Sequence, residues 1–212
     1  MYPLRNLMWS ENVLIADADY IDKVAFNLTV NFERMLERRI PPADMAKWVE
    51  CVALDGGLRK GDNEIQVLLV HSKGKKKLDN FLPSSFSDDL DGKAFKGEIG
   101  EFLFSSLPVE SDLVSAESLF CDSLMHLCNE KRVKRIMAVP DEEDYYEGVR
   151  KVLRGTDMAD TQATVFTMEP KQGGNFRQEI LGYSIMSALG ISGNEFSSKQ
   201  TGPFDYDGTI KY

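Results

Sequence analysis

Asn12–Tyr20 reads NVLIADADY, and this stretch decides the fold. Asn12–Ala16 is a short apolar run rich in branched residues, the mark of a strand covered on both faces. Two aspartates, Asp17 and Asp19, follow at once. Ile21–Arg39 then carries Ile21, Val24, Ala25, Leu28, Phe32, Met35 and Leu36 at three- and four-residue steps, which predicts a helix with one inward face. Buried strand, acidic turn and helix together form the opening unit of a parallel α/β sheet.

Outward from that unit the alternation repeats. Pro41-Pro42 breaks the first helix and opens a second, with Met45, Trp48, Val49 and Val52 inward and Gly56-Gly57 at its end. Glu64–His71 is a second strand, introduced by the turn Gly61-Asp62-Asn63. Lys73–Gly100 is polar and reads as a long excursion with one short helix, before a third strand at Glu101–Val109. Ser115–Glu130 is a helix, Val133–Val139 a fourth strand, and Glu142–Leu153 a helix capped by Asp141. Gln162–Met168 is a fifth strand. Asn175 and Gln178 have capping-box spacing, which predicts a last helix running to Leu189. Residues 1–191 are therefore expected to form one α/β domain with three layers, α/β/α. Its sheet is expected to be mostly parallel and five-stranded, in the order 3-2-1-4-5. Residues 192–212 lack periodicity and read as a flexible or contact-ordered tail.

The remaining composition narrows the classes. At 212 residues with a 42% hydrophobic content, the chain can bury a substantial core. Three cysteines, Cys51, Cys121 and Cys128, have no Cys-x-x-Cys spacing, so a disulfide framework is not expected. No run approaches a membrane span, and Met1–Ser10 lacks a signal-peptide pattern, so the expected location is the cytoplasm. A formal charge of −9 argues against non-specific nucleic-acid binding, which needs net phosphate neutralisation. Three basic patches, one at Lys73, Lys75, Lys76 and Lys77, read as solvated faces. His71 and His126 have no metal-type spacing and read as structural. Small residues at Gly182, Ser184, Ser187 and Ala188 suggest close helix packing, including a homodimer through the 175–189 helix.

Acid clusters follow the first and fourth strands: Asp17, Asp19 and Asp22 after the first, and Asp141, Glu142, Glu143 and Asp144 after the fourth. In the order 3-2-1-4-5 these strands are neighbours at the switch point, where ligands of parallel α/β sheets bind. Converging carboxylates repel one another, and a hard cation such as Mg2+ or Mn2+ resolves this by taking oxygen ligands. Helix capping explains several of the same acids without any metal: Asp19 and Asp141 are both placed to cap the helix that follows.

Val13–Tyr20 resembles the opening strand of the PIN-like nucleases, especially their NYN branch. Ile136–Tyr145 (IMAVPDEEDY) is similar to that branch's fourth-strand motif, an apolar strand running into Ser-Gly-Asp-x-Asp-Phe. Asp141, Asp144 and Tyr145 match its acids and aromatic, and Asp122 falls near a further family acid. Pro140 stands in place of the motif's Gly, and one extra residue separates the two acids. The resemblance implies a metal-dependent, ribonuclease-like phosphodiester hydrolase acting on RNA. Asp17 and Asp141 would be its catalytic acids, and Asp17, Asp19, Asp141 and Asp144 would hold Mg2+ or Mn2+. Asp17-x-Asp19 also resembles the haloacid-dehalogenase-like phosphatases, in which Asp17 would be the nucleophile and Asp19 a general acid, with Ser72 and Lys73 at the phosphate. A catalytically silent interaction or assembly module on the same fold is the third reading. The chain as a whole looks like a member of an uncharacterised bacterial family, which implies no function.

Overall fold

The computed structural model describes residues 8–199. In chain order it comprises β1 (Asn12–Asp17), α1 (Ala18–Leu36), β2 (Ala43–Asp44), α2 (Met45–Asp55), β3 (Asn63–Ser72), β4 (Phe81–Leu82), a single π-helical turn (Phe86–Leu90), β5 (Ala94–Lys96) and β6 (Gly100–Val109). Then come α3 (Ala116–Asn129), β7 (Arg135–Val139), α4 (Glu142–Arg154), β8 (Gln162–Thr167), β9 (Arg177–Ile180), α5 (Leu181–Ala188) and α6 (Gly193–Lys199).

The main sheet has seven strands rather than five, in the order β5-β6-β3-β1-β7-β8-β9. Its inner five follow the expected 3-2-1-4-5 order and are parallel throughout. The two additions lie at the edges. β5 pairs antiparallel with β6, and β9 pairs parallel with β8. β2 and β4 form a separate two-stranded ribbon.

Neighbouring residues of each inner strand point to opposite faces, and both faces are covered. Leu14 and Ala16 of β1, Val67 and Leu69 of β3, and Met137 and Val139 of β7 pack against α1, α2 and α5. Val13, Ile15, Leu68, Val70, Ile136 and Ala138 pack on the other side against α3 and α4. This explains why β1 and β7 read as unbroken apolar runs: no face of either meets water. The three layers are thus formed as expected.

Several boundaries differ for identifiable reasons. α1 begins at Ala18, earlier than its apolar stripe, because Asp17 and not Asp19 caps it. The segment expected as one helix over 175–189 divides into β9 and α5. Its capping-box pair serves the loop instead: Asn175 Nδ2 donates to the Leu153 carbonyl, and Gln178 Oε1 accepts from Lys171 N–H. The small residues of α5 are used inside the chain. Gly182, Ser184 and Ala188 are buried, and a Cβ at Gly182 would lie 3.4 Å from Met168 Cε. Excursion 73–100 contributes Leu78, Phe81, Phe86 and Leu90 to the core, with the π-helical turn where a short helix was expected. Of the expected tail, 193–199 is helical, and α6 is tied to α1 through Phe196 on Phe32 and to the turn after α1 through an Arg38–Glu195 ion pair of 2.7 Å. The rest of that tail lies outside the described residues. Among the described residues, no helix is long and apolar enough to cross a membrane.

Candidate functional site

β1 and β7 lie side by side, and the connections that follow them leave toward opposite faces of the sheet. Their carboxyl ends therefore form the switch point. Asp17 is the last residue of β1 and is only 5% exposed. Its Oδ1 accepts the Tyr20 N–H at 3.0 Å, capping α1, and its Oδ2 accepts the Tyr145 hydroxyl at 2.6 Å. Burial pushes its carboxyl up to about 6, against the lowering effect of those two hydrogen bonds, and the charges of Asp19 and Asp141 add to the rise.

Across the switch point the first turn of α4 is built in a matching way. Asp141 caps it, accepting the Glu143 N–H at 3.1 Å. Its carboxyl is raised chiefly by partial burial, with the charges of Asp144 and Glu143 contributing. Glu142 turns inward and is buried. Its Oε1 accepts the Tyr20 hydroxyl at 2.7 Å and the Met168 N–H, while Lys171 Nζ stands 3.6 Å from Oε2. Tyr145 leaves helical geometry (φ −141°, ψ 30°), a kink within this first turn. The outcome is a reciprocal exchange. Tyr20 of α1 donates to a carboxylate of α4, and Tyr145 of α4 donates to the carboxylate that caps α1.

Asp19 does not cap α1. Its Oδ2 accepts the Ser72 N–H at 3.0 Å, which joins α1 to the end of β3, and its Oδ1 is buried without a hydrogen-bond partner. Asp22 is almost fully enclosed. It accepts Lys75 Nζ at 2.6 Å, the backbone N–H groups of Asp79 and Asn80, and Asn80 Nδ2, and so anchors the excursion to α1. Glu143 is exposed and pairs with Lys23 at 2.6 Å.

Of the four acids expected at a metal, Asp19 and Asp141 are near enough to Asp17 for their charges to raise its carboxyl. Asp144 is exposed on the outer side of α4, and its charge registers on Asp141. Among the described residues, no group of three or more His, Cys, Asp or Glu is arranged to hold a metal ion. A nucleophilic Asp17 would require Tyr145 to withdraw, because both carboxylate oxygens are engaged. Asp122 lies exposed on α3.

Sequence reasoning missed Glu142, although a signal existed. Glu142, Tyr145, Val149 and Leu153 continue one stripe of α4 at helical steps, so an acid on that stripe points inward. Asp22 likewise falls on the stripe of Ala18, Ile21 and Ala25.

Elsewhere the chemistry is muted. All three cysteines are free, and burial raises the thiols of Cys121 and Cys128 to about 11, which leaves them protonated and unreactive. His71 stacks on Phe86 with ring centroids 3.8 Å apart, and His126 lies against Trp9.

A family model described as a family of unknown function (DUF6621) matches residues 6–196. No curated protein and no solved structure matches the chain.

Proposed function

The chain belongs to this family of unknown function, and from that premise we propose that it is a divalent-metal-dependent phosphodiester hydrolase of PIN/NYN type. It works at the rim of β1 and β7, with RNA as the substrate. One observation carries the reading. Asp19 Oδ1 is a carboxylate oxygen buried without a donor, near Asp17, whose proton affinity is raised first by burial and then by the charges of Asp19 and Asp141. Leaving a buried acceptor unpaired is costly, and a hard cation such as Mg2+ or Mn2+ is suited to several carboxylates at once. When bound, such an ion would stabilise developing charge on phosphate oxygens.

The chain's own groups perform the remaining tasks. Asp19 offers an oxygen with no hydrogen-bond partner and Asp141 a half-buried carboxylate, whereas Glu142 Oε2, also without a hydrogen bond, faces Lys171 Nζ at 3.6 Å. Asp17, with a pKa of about 6, is ionised at neutral pH and held in one orientation by Tyr145 and Tyr20. Glu142 fixes the start of α4 to α1 and to the end of β8 through Tyr20 and the Met168 N–H. Asp144 occupies the outer edge.

A second reading, a catalytically silent interaction module, is favoured by the tyrosine exchange itself. Both buried carboxylates of the switch point already have internal donors. Melting temperature measured against MgCl2 or MnCl2 separates the two. The hydrolase reading expects a rise for the native chain that Asp19→Asn abolishes and Asp17→Asn weakens, accompanied by metal-dependent RNA cleavage. A native chain whose melting is indifferent to both ions is the silent module.

A further inference from the structure

A second polar feature lies on the same rim, one strand further out. His71, next to last in β3, pairs with Pro108 of β6, and a cavity of about 450 Å³ opens above the ends of these two strands. Its walls include His71, Lys73, Lys76, Ser87, Ser106 and Glu110. Lys75 also lines it, but its ammonium is answered by the buried Asp22. Lys73 and Lys76 are exposed, and among the described residues no acid is paired to either. Lys73 Nζ reaches only the Glu110 carbonyl, at 3.5 Å. His71 is 7% exposed, and its Nδ1 is engaged by the Ser72 carbonyl at 2.9 Å. Its Nε2 is buried without a partner. Two ammonium groups and the Ser106 hydroxyl thus border a space of the size small ligands occupy, with the buried imidazole of His71 in its wall. Glu110 lies on the same wall, and the Ser87 hydroxyl there is turned to Asp88 Oδ1 at 3.4 Å. The chain is acidic as a whole, so this concentration of cations is local.

The cavity adjoins the acidic corner through one residue. Ser72 follows His71, and its N–H is held by Asp19 Oδ2. We infer that the cavity is a phosphate subsite, which takes the phosphate next to the one acted on at the rim in a single-stranded RNA. This rests on the hydrolase reading of the rim. It adds a substrate contact that the acids cannot supply, since carboxylates repel a polyanion and need cationic neighbours to hold it. Lys73 and Lys76 are the phosphate-binding groups, with the Ser106 hydroxyl as a donor.

Equilibrium binding of a fluorescent single-stranded oligoribonucleotide to the full chain, in EDTA so that no cation contributes, tests the subsite alone. Lys73→Gln/Lys76→Gln is compared with Lys131→Gln/Arg132→Gln, which removes the same charge from a distant patch. The first double variant is expected to bind about tenfold more weakly, and its log–log salt dependence to be shallower by about 1.4, the loss of two single-strand phosphate contacts. The second is expected to match the native chain. Equal weakening by both variants, native affinity in the first, or no binding by the native chain overturns the subsite. Inorganic phosphate that competes as well as the oligonucleotide overturns the assignment to a nucleic-acid backbone. A native chain that ignores Mn2+ but binds RNA through Lys73 and Lys76 removes the hydrolase reading and leaves the subsite standing.

Discussion

The Tyr145 hydroxyl donates a 2.6 Å hydrogen bond to Asp17 Oδ2 across the switch point of the sheet. The bond ties the cap of α1 to the first turn of α4, two helices on opposite faces. Its counterpart, Tyr20 to Glu142, runs the other way, so the two helix starts hold each other. Tyr145→Phe removes one donor and leaves a buried carboxylate oxygen short of a partner. Stability at neutral pH is expected to fall by about 1–3 kcal/mol, read from urea unfolding. The Asp17 carboxyl is expected to rise above about 6, because the hydrogen bond that lowered it is gone. An unchanged urea midpoint would show that the bond contributes nothing.

The Asp17 carboxyl also makes stability depend on pH with a definite sign. Its pKa rises from 3.8 to about 6 on folding, so between those values the folded chain binds the proton that the unfolded chain has released. Stability from this group is full below the lower value and is lost as pH rises through the upper one. The gap of about two pH units corresponds to about 3 kcal/mol. Asp17→Asn cannot titrate. The stability of the native chain relative to this variant is therefore expected to drop by about that amount between pH 4 and pH 7. Parallel stability curves for the two proteins over that range refute the burial-driven shift.

Asp22 was grouped with the rim acids by its place in the sequence, but its carboxylate faces the excursion and not the switch point. Asp22→Ala strips Lys75 and the Asp79 and Asn80 amides of a shared buried acceptor. A loss of about 3–5 kcal/mol is expected, as when one partner of a buried ion pair is removed. The Asp79 and Asn80 amides should exchange with solvent faster than those of β1. Protection retained at both amides would show that other contacts hold the excursion.

Gly182 separates an internal role for α5 from an external one. A Cβ there meets Met168 Cε at 3.4 Å, and Gly182→Leu overfills that contact. A stability loss of about 1–3 kcal/mol is expected, with the same sedimentation behaviour as the native chain. A change in oligomeric state at unchanged stability would instead place this face of α5 at an interface between copies.

The sequence by itself determined the frame. The run Asn12–Ala16 and the strands that follow it read as buried because both faces of a parallel sheet are covered, a property of local composition. The alternation of strands and helices pointed to a parallel sheet, and the expected order of the inner five, which the sheet has, sets the ends of β1 and β7 side by side. The edge strands were not legible. β5 and β9 are three and four residues long and draw their identity from pairing with β6 and β8 across the chain. The acids of the rim divide in the same way. That they would gather there followed from their positions after two neighbouring strands. Which of them turn inward depended on the registers of α1 and α4 and on partners 122 and 128 residues away. Asp17 therefore became the cap and the buried carboxylate at once, and Asp19 kept an unpartnered oxygen. Glu142 turns inward, and Asp144, expected as a metal ligand, lies exposed on α4. Local sequence specifies which residues are apolar and where helices begin. Only tertiary packing decides which carboxylate meets a donor and which is left with a free oxygen, because those donors come from elements distant along the chain.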